Sequence, residues 1–463
     1  SDIPQTMPGA PTKMSGEGIL SIGSIRRHPE STGSPSMRLT RRRGPRAEAD
    51  GPAPRESVRG AGKIRILMVA SAAVGGIRTY LKYVLSELDP AKFDVRLVAC
   101  RNSESLQLLS TLPAHVRVRL VDSRAACMAR IAAEIVLFRP HVVNSQGFTS
   151  AVLSALPCAL LRRKHALTIH GIVEERYFRG RFAGLRRMGW NCALQSTDVF
   201  IGVGRDILEH VKEHVHPGLE RKARWVVVRN GIRVDEFVLD RTEARRKLFD
   251  RLGLSSDTFL FGFFGRFMPE KGFDLIVEAL CHLRDDPRAA CMTVMAVGSG
   301  DYVRESKTWV RHAGLESRFV FLPRLDSVAN LIAGCDCVLM PSRWEAFSLL
   351  AAEALCAGTP LIASDCIGLR EVVKGTPAVV VPSGDVEALS SAMLHVREES
   401  AVTRQAWAFR STARRIFDVK TTARKLATVF SDLASRCPMA VTETHDPNDN
   451  PPSATDQAAT TLQ

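Results

Sequence analysis

The run Phe259-Leu260-Phe261-Gly262-Phe263-Phe264-Gly265-Arg266-Phe267-Met268-Pro269-Glu270-Lys271-Gly272 joins an apolar stretch of strand length to a charged turn that contains a proline. A helical stretch, Phe273–Leu283, opens directly after it. A strand this apolar has no face for water, so its sheet is covered on both sides, and strand–turn–helix order is that of parallel α/β sheets. The alternation continues toward the C-terminus, with strands at Cys291–Val297, Phe319–Leu322, Cys337–Pro341, Leu361–Ser364 and Ala378–Val381. Toward the N-terminus it has already occurred once, at Ile64–Ser71, Phe93–Cys100, Val116–Val121, His141–Ser145, Ala166–His170, Val199–Val203 and Trp225–Arg229. Helix-length stretches such as Ile77–Leu88 and Ala126–Phe138 lie between these strands. The expectation is α/β, with two doubly wound Rossmann-like domains at 63–235 and 236–415. Ligands of such sheets sit outside the C-terminal ends of the strands, so two facing domains make a cleft.

The remaining segments follow from composition. Residues 1–62 are rich in Pro, Gly, Ser and Arg and read as a disordered basic tail, with the run Arg41-Arg42-Arg43 inside it. Residues 437–463 read as a disordered acidic tail, and 416–436 hold one last helix. The chain of 463 residues is 45% hydrophobic, which supports sizeable cores and excludes collagen-like and wholly disordered classes. The longest apolar runs fall short of the roughly 18–20 residues that cross a bilayer. No N-terminal stretch joins a basic region to an apolar core, so no secretory signal is read. The eleven cysteines include no CxxC pair, which favours reduced thiols in the cytoplasm.

The formal net charge is +14, and it is uneven. Residues 63–235 carry 27 basic and 14 acidic side chains, whereas residues 236–436 carry 26 and 25. The densest segment, Leu160–Trp190, mixes Arg162, Arg163, Lys164, Arg176, Arg179, Arg181, Arg186 and Arg187 with Phe178, Phe182 and Leu185. That mixture suits either an anionic lipid surface or a merely solvated basic face, and the first is expected. A nucleic-acid partner is not expected, because no aromatic-rich basic motif accompanies the charge.

Four motifs fall at strand ends. Gly75-Gly76 opens the helix after the first strand; it is either a tight turn or a place where an anion approaches the backbone. Arg266 and Lys271 sit beside a helix N-terminus, where cations oppose the dipole: they either converge on an anion such as a diphosphate or are incidental solvent-exposed charges at a helix start. Pro341-Ser342-Arg343-Trp344-Glu345-Ala346-Phe347-Ser348-Leu349-Leu350-Ala351-Ala352-Glu353 follows the strand Cys337–Pro341. Glu345 is expected in the loop and Glu353 about two turns into the helix, where their carboxylates serve two ends of an extended hydroxyl-bearing ligand. The amides of Ala346, Phe347, Ser348 and Leu349 open toward the same place. His170 ends a strand of the first half, and either faces the cleft or is satisfied within the fold.

In this order, together with Asn230-Gly231-Ile232, Ala357-Gly358-Thr359-Pro360 and Glu371-Val372-Val373, these residues resemble the retaining nucleotide-sugar glycosyltransferases of group four, with the two-Rossmann-domain (GT-B) architecture. The resemblance covers roughly 63–436. It implies an acceptor-binding first domain, a nucleotide-sugar-binding second domain, and a C-terminal helix that crosses back to the first. It further implies that Arg266 and Lys271 hold the diphosphate and that Glu345 holds the donor sugar. Glu353 would hold the ribose, Gly75 and Gly76 would approach the phosphate, and His170 would contact the sugar near the reacting carbon. No cofactor and no metal are implied, and Asp285-Asp286 is not a DxD-like pair. The implied partners are a nucleotide sugar, a lipid-linked or saccharide acceptor, and an anionic membrane surface reached through the basic half. The implied place is the cytoplasm, peripheral to the inner face of the cell membrane. Departures from the pattern are Ala346 and Ser348 where Gly is common, Gly204 where Ser is more usual, and a single Gly in Ile367-Gly368. An epimerase on the same fold, or a binding protein without catalysis, are the rival readings.

Overall fold

A computed structural model describes residues 62–173, 178–214, 223–325 and 327–435. The tails expected at 1–62 and 437–463 lie outside the described residues, Gly62 excepted, and so does Arg176. The first sheet has seven strands: β1 Ile64–Ala70, β2 Phe93–Cys100, β3 Arg117–Val121, β4 Val142–Gln146, β5 Lys164–Ile169, β6 Val199–Gly202 and β7 Arg224–Val227. Their order is β3-β2-β1-β4-β5-β6-β7. The second has six: β8 Phe259–Arg266, β9 Met292–Ser299, β10 Phe319–Pro323, β11 Cys337–Met340, β12 Leu361–Ser364 and β13 Val379–Val381, in the order β10-β9-β8-β11-β12-β13. All paired strands run parallel. The thirteen strands read from the sequence are all present, because apolar runs bounded by turn residues leave little room for another assignment.

Both sheets reverse their order between the first and fourth strand of the half, β1 beside β4 and β8 beside β11. The crevice at such a reversal is where ligands of open α/β sheets bind. Gly75 follows β1, Arg266 ends β8, and the Ser342–Ser348 loop follows β11. Topology alone therefore gathers the motifs.

The halves are tied where the chain crosses between them. Ile232 N donates to Phe417 O at 2.7 Å, and Val419 N donates back to Ile232 O at 3.0 Å. Helix Val419–Ala434 then packs on helix Gly75–Glu87 and on β1 of the first half. Asp418 caps it by accepting from Lys420 N at 2.9 Å. Leu426 and Phe430 on this helix are fully buried; removing a ring so placed costs about 3–5 kcal/mol.

A second tie is polar. Glu371, in helix Leu369–Val373, accepts from Asp206 N at 2.9 Å and from Arg229 Nε at 3.0 Å. A carboxylate of the second half thus caps helix Arg205–Glu213 of the first. Gly204 borders this contact: a Cβ there would lie 2.9 Å from Glu371 Oε2. Arg370 adds a bond to Asp206 at 2.7 Å. Among the described residues no helix is long and apolar enough to cross a membrane.

Candidate active site

Arg266, Lys271, Glu345 and Glu353 line one cavity of about 410 Å³ between the two sheets. Gly75, Gly76, Phe347, Ser348 and Leu349 line it as well, whereas His170 and Ala346 do not. The volume lies in the range of small-molecule sites.

The second half supplies a built cationic wall. Lys271 sits in the turn Pro269–Lys271, and its Nζ lies 2.7 Å from Glu345 Oε1. Ser342 Oγ donates to the same oxygen at 2.9 Å. Glu345 Oε2 makes no hydrogen bond among the described residues, which leaves one carboxylate oxygen for a ligand. Arg343 fixes the distance between the two loops. Its guanidinium pairs with both oxygens of Asp274, at 2.9 and 2.6 Å, and reaches Pro269 O at 2.7 Å. Its own amide donates to Glu270 O at 2.8 Å. Gly272, at φ +66°, packs against Pro341 O where a Cβ has no room. Gly368, at φ +76°, does the same against Glu345 O. These two glycines let the turn and the loop approach the carboxylate. Arg266 Nη2 reaches Met268 Sδ at 2.9 Å.

Glu353 is set differently. Helix Leu349–Ala357 starts later than expected, because Ser348 caps it by accepting from Ala351 N at 3.2 Å. Glu353 therefore sits one turn in, not two. Ser348 is thus a helix cap, a role that Gly could not fill through a side chain. Glu353 is buried, and burial raises its pKa to about 8, with Glu236 adding to the rise and Lys82 opposing it. Burial likewise raises the Tyr83 phenol, with Glu353 contributing.

His170 ends the chain of side chains Thr168–Asn144–Gln146–His170. Its Nε2 lies 2.8 Å from Gln146 Oε1, and Tyr80 meets its ring edge-on at 4.8 Å. Gln146 donates its amide to Asn144 Oδ1, so its oxygen faces the imidazole and places the proton on Nε2. Burial pushes the His170 pKa down to about 3, so the ring is neutral near pH 7. The structure satisfies His170 within the first half.

Several lining residues have no motif around them. Arg78, Lys82 and Glu104 come from helices Gly75–Glu87 and Ser103–Thr111, Glu236 from the link between the halves, and Arg324 from the turn after β10. Arg324 was within reach of the strand-end rule; Glu104 lies at a helix start with no local signal. Among the described residues, one cluster could hold a metal ion: His210, Glu213 and His214. None of the three lines the cavity, and His210 Nε2 already accepts from Val173 N at 3.2 Å.

Two protein families match. Glycosyltransferase Family 4 matches residues 74–236, and Glycosyl transferases group 1 matches residues 244–414. Among curated relatives, a D-inositol 3-phosphate glycosyltransferase of Xylanimonas cellulosilytica is 32% identical over 221 residues, 46% of this chain and 50% of that protein. A glycogen synthase of Mycobacterium tuberculosis is 28% identical over 310 residues, 63% of this chain and 69% of that protein. The chain spans half or less of the length of the first curated relatives it matches. Among solved structures, Anabaena HepE in complex with UDP-glucose shares the fold, with TM-score 0.68 and 21% identity over 80% of this chain and 99% of that one.

Proposed function

Because the chain belongs to the group 1 and family 4 glycosyltransferases by the match of both its halves, we propose that its cavity takes a nucleoside-diphosphate sugar and passes the sugar, with retention, to a hydroxyl of a lipid-linked or saccharide acceptor. The observation that carries this reading is the single cavity shared by Arg266, Lys271, Glu345 and Glu353. It offers cations for a diphosphate and two separated carboxyl groups, Glu345 and the buried Glu353, for the hydroxyls of a sugar and a ribose. The HepE structure with UDP-glucose supports the donor class. The lipopolysaccharide core mannosyltransferase of Rhizobium meliloti, 27% identical over 218 residues, and the glycogen synthase support polysaccharide synthesis as the setting.

The chemistry follows from charge. Departure of the nucleoside diphosphate puts negative charge on phosphate and positive character on the anomeric carbon. Arg266 and Lys271 stabilise the first as it grows, an interaction stronger in the transition state than before it. Glu345, its Oε1 already held by Lys271 and Ser342, orients the sugar through Oε2. The acceptor hydroxyl attacks on the leaving-group face, its oxygen bonds to the anomeric carbon as the carbon–phosphate-oxygen bond breaks, and the phosphate takes its proton. His170, neutral and held by Gln146 outside the lining of the cavity, takes no part in this scheme. No metal takes part in this scheme.

The acceptor is proposed to reside on a membrane. Three neighbouring helices of the first half, Arg124–Phe138, Phe148–Leu160 and Ala183–Gln195, expose large apolar side chains. Leu137 is 75% exposed, Leu160 72%, Leu185 62% and Met188 58%. Arg162, Arg163, Arg186 and Arg187 stand on or beside the same helices. Apolar side chains with a basic border suit an anionic lipid surface at the inner face of the cell membrane.

Product analysis tests the reading. Incubation with nucleotide sugars and an extracted lipid or saccharide acceptor should give a glycosylated product and free nucleoside diphosphate. A changed nucleotide sugar without an acceptor product would mean epimerisation, and binding without turnover would mean a non-catalytic site.

A further inference from the structure

We propose that Glu104 is an internal anion that occupies the diphosphate's place in the cavity, and that the donor displaces it. The inference rests on the nucleotide-sugar reading above. Glu104 lies in the first turn of helix Ser103–Thr111. Its Oε2 accepts from Gly75 N at 2.8 Å, lies 3.2 Å from Arg324 Nη1, and lies 3.9 Å from Arg78 Nε. Gly75 opens helix Gly75–Glu87 in the first half, and Arg324 follows β10 in the second. One carboxylate oxygen therefore joins the two halves.

All four residues line the cavity that holds Arg266 and Lys271. Arg266 is close to this point: a Cβ on Gly75 would lie 3.4 Å from Arg266 Cδ. A helix N-terminal amide beside guanidinium groups binds a phosphate oxygen for the same reasons that it binds a carboxylate. Gly75 N–H can serve one anion at a time. A diphosphate that reaches Gly75 must therefore expel Glu104. Expulsion frees Arg324 from its carboxylate, and Arg324 becomes a third cation for the phosphates beside Arg266 and Lys271. Until then, Glu104 competes with the donor, and apparent affinity is lowered by the share of molecules in which it is in place.

Glu104→Gln tests this. The glutamine keeps an oxygen that accepts from Gly75 N and removes only the charge. Calorimetric titrations with UDP, GDP and ADP at low salt compare wild type, Glu104→Gln and Arg324→Ala. The nucleotide that binds wild type should bind Glu104→Gln roughly three- to tenfold tighter, and Arg324→Ala several-fold weaker. Equal or weaker binding by Glu104→Gln overturns the inference, because a merely structural bond to Gly75 would give that result. If Glu104→Gln is unstable, Glu104→Ala removes the same charge and carries the same expectation. If none of the three nucleotides binds wild type, the donor reading itself falls, and the inference falls with it.

Discussion

The ammonium of Lys271 lies 2.7 Å from Oε1 of Glu345, and that bond couples the turn after β8 to the loop after β11. The two residues are 74 positions apart in sequence, yet both sit at the C-terminal edge of neighbouring strands. A cation placed on a carboxylate that also faces a cavity has two tasks, positioning the acid and meeting an anionic ligand.

Removing the charge of Glu345 separates those tasks. Glu345→Gln keeps the size of the side chain but weakens the hold on Lys271. Sugar transfer should fall about 10²–10³-fold, as for loss of one preorganised polar group. The melting temperature should change by only a few degrees. Transfer within a few-fold of wild type would remove Glu345 from the site.

Glu353 gives the protein a pH dependence of known sign. Burial and Glu236 hold its pKa at about 8, against 4.5 for an ordinary glutamate. Between those values the folded protein keeps a proton that the unfolded chain has lost. The contribution of this residue to stability is therefore full below about pH 4.5 and is lost as pH rises toward 8. Glu353→Gln should gain stability over wild type between about pH 5 and 8, by on the order of a few kcal/mol. Denaturant unfolding at the two pH values measures it. Nucleotide affinity should move oppositely: under the proposed function the ionised acid accepts the ribose hydroxyls, so the advantage of wild type over the variant should grow with pH. A stability difference independent of pH would contradict the first expectation.

Glu371 ties the halves through Arg229 and the Asp206 amide. Glu371→Ala leaves the helix Arg205–Glu213 without this cap and Arg229 without this carboxylate. A loss of roughly 1–3 kcal/mol in unfolding free energy is expected. A change under 0.5 kcal/mol, measured by chemical denaturation, would show that the tie contributes little.

The fold was readable because strand identity depends on runs of apolar residues, and each run from Ile64 to Val381 is bounded by Gly, Pro or charge. Strand order added the gathering of motifs, since a ligand crevice forms wherever the order reverses. That Arg266, Lys271 and Glu345 share a cavity follows from the same rule, since they stand at or just past the ends of the adjacent strands β8 and β11, and Glu353 lies in the helix that follows. The rest depends on pairings that sequence distance hides. Glu104 meets Gly75 and Arg324 from 29 and 220 positions away. Gly204 lies beside Glu371, 167 positions later, where a Cβ would come 2.9 Å from Oε2. Helix Leu349–Ala357 begins late because Ser348, which stands where Gly is common, caps it.

The exposed apolar helices make a separate claim. Liposomes containing anionic lipid should bind the protein at low salt and release it as salt rises, because its basic groups are screened. Replacing Leu137, Leu160 and Leu185 with Ser should weaken binding by about tenfold or more, since each buried leucine contributes about 1.5–3 kcal/mol at most. Wild type that ignores such liposomes at low salt would refute membrane docking and leave donor binding untouched.

The most direct measurement is calorimetric titration of wild type and Lys271→Ala with UDP, GDP, ADP and their sugars. The expected result is saturable binding of one nucleoside diphosphate and its sugar by wild type, weakened at least about tenfold in Lys271→Ala while the variant stays folded. Absence of binding by wild type, or equal binding by Lys271→Ala, would contradict a nucleotide-sugar site built on Lys271 and Glu345.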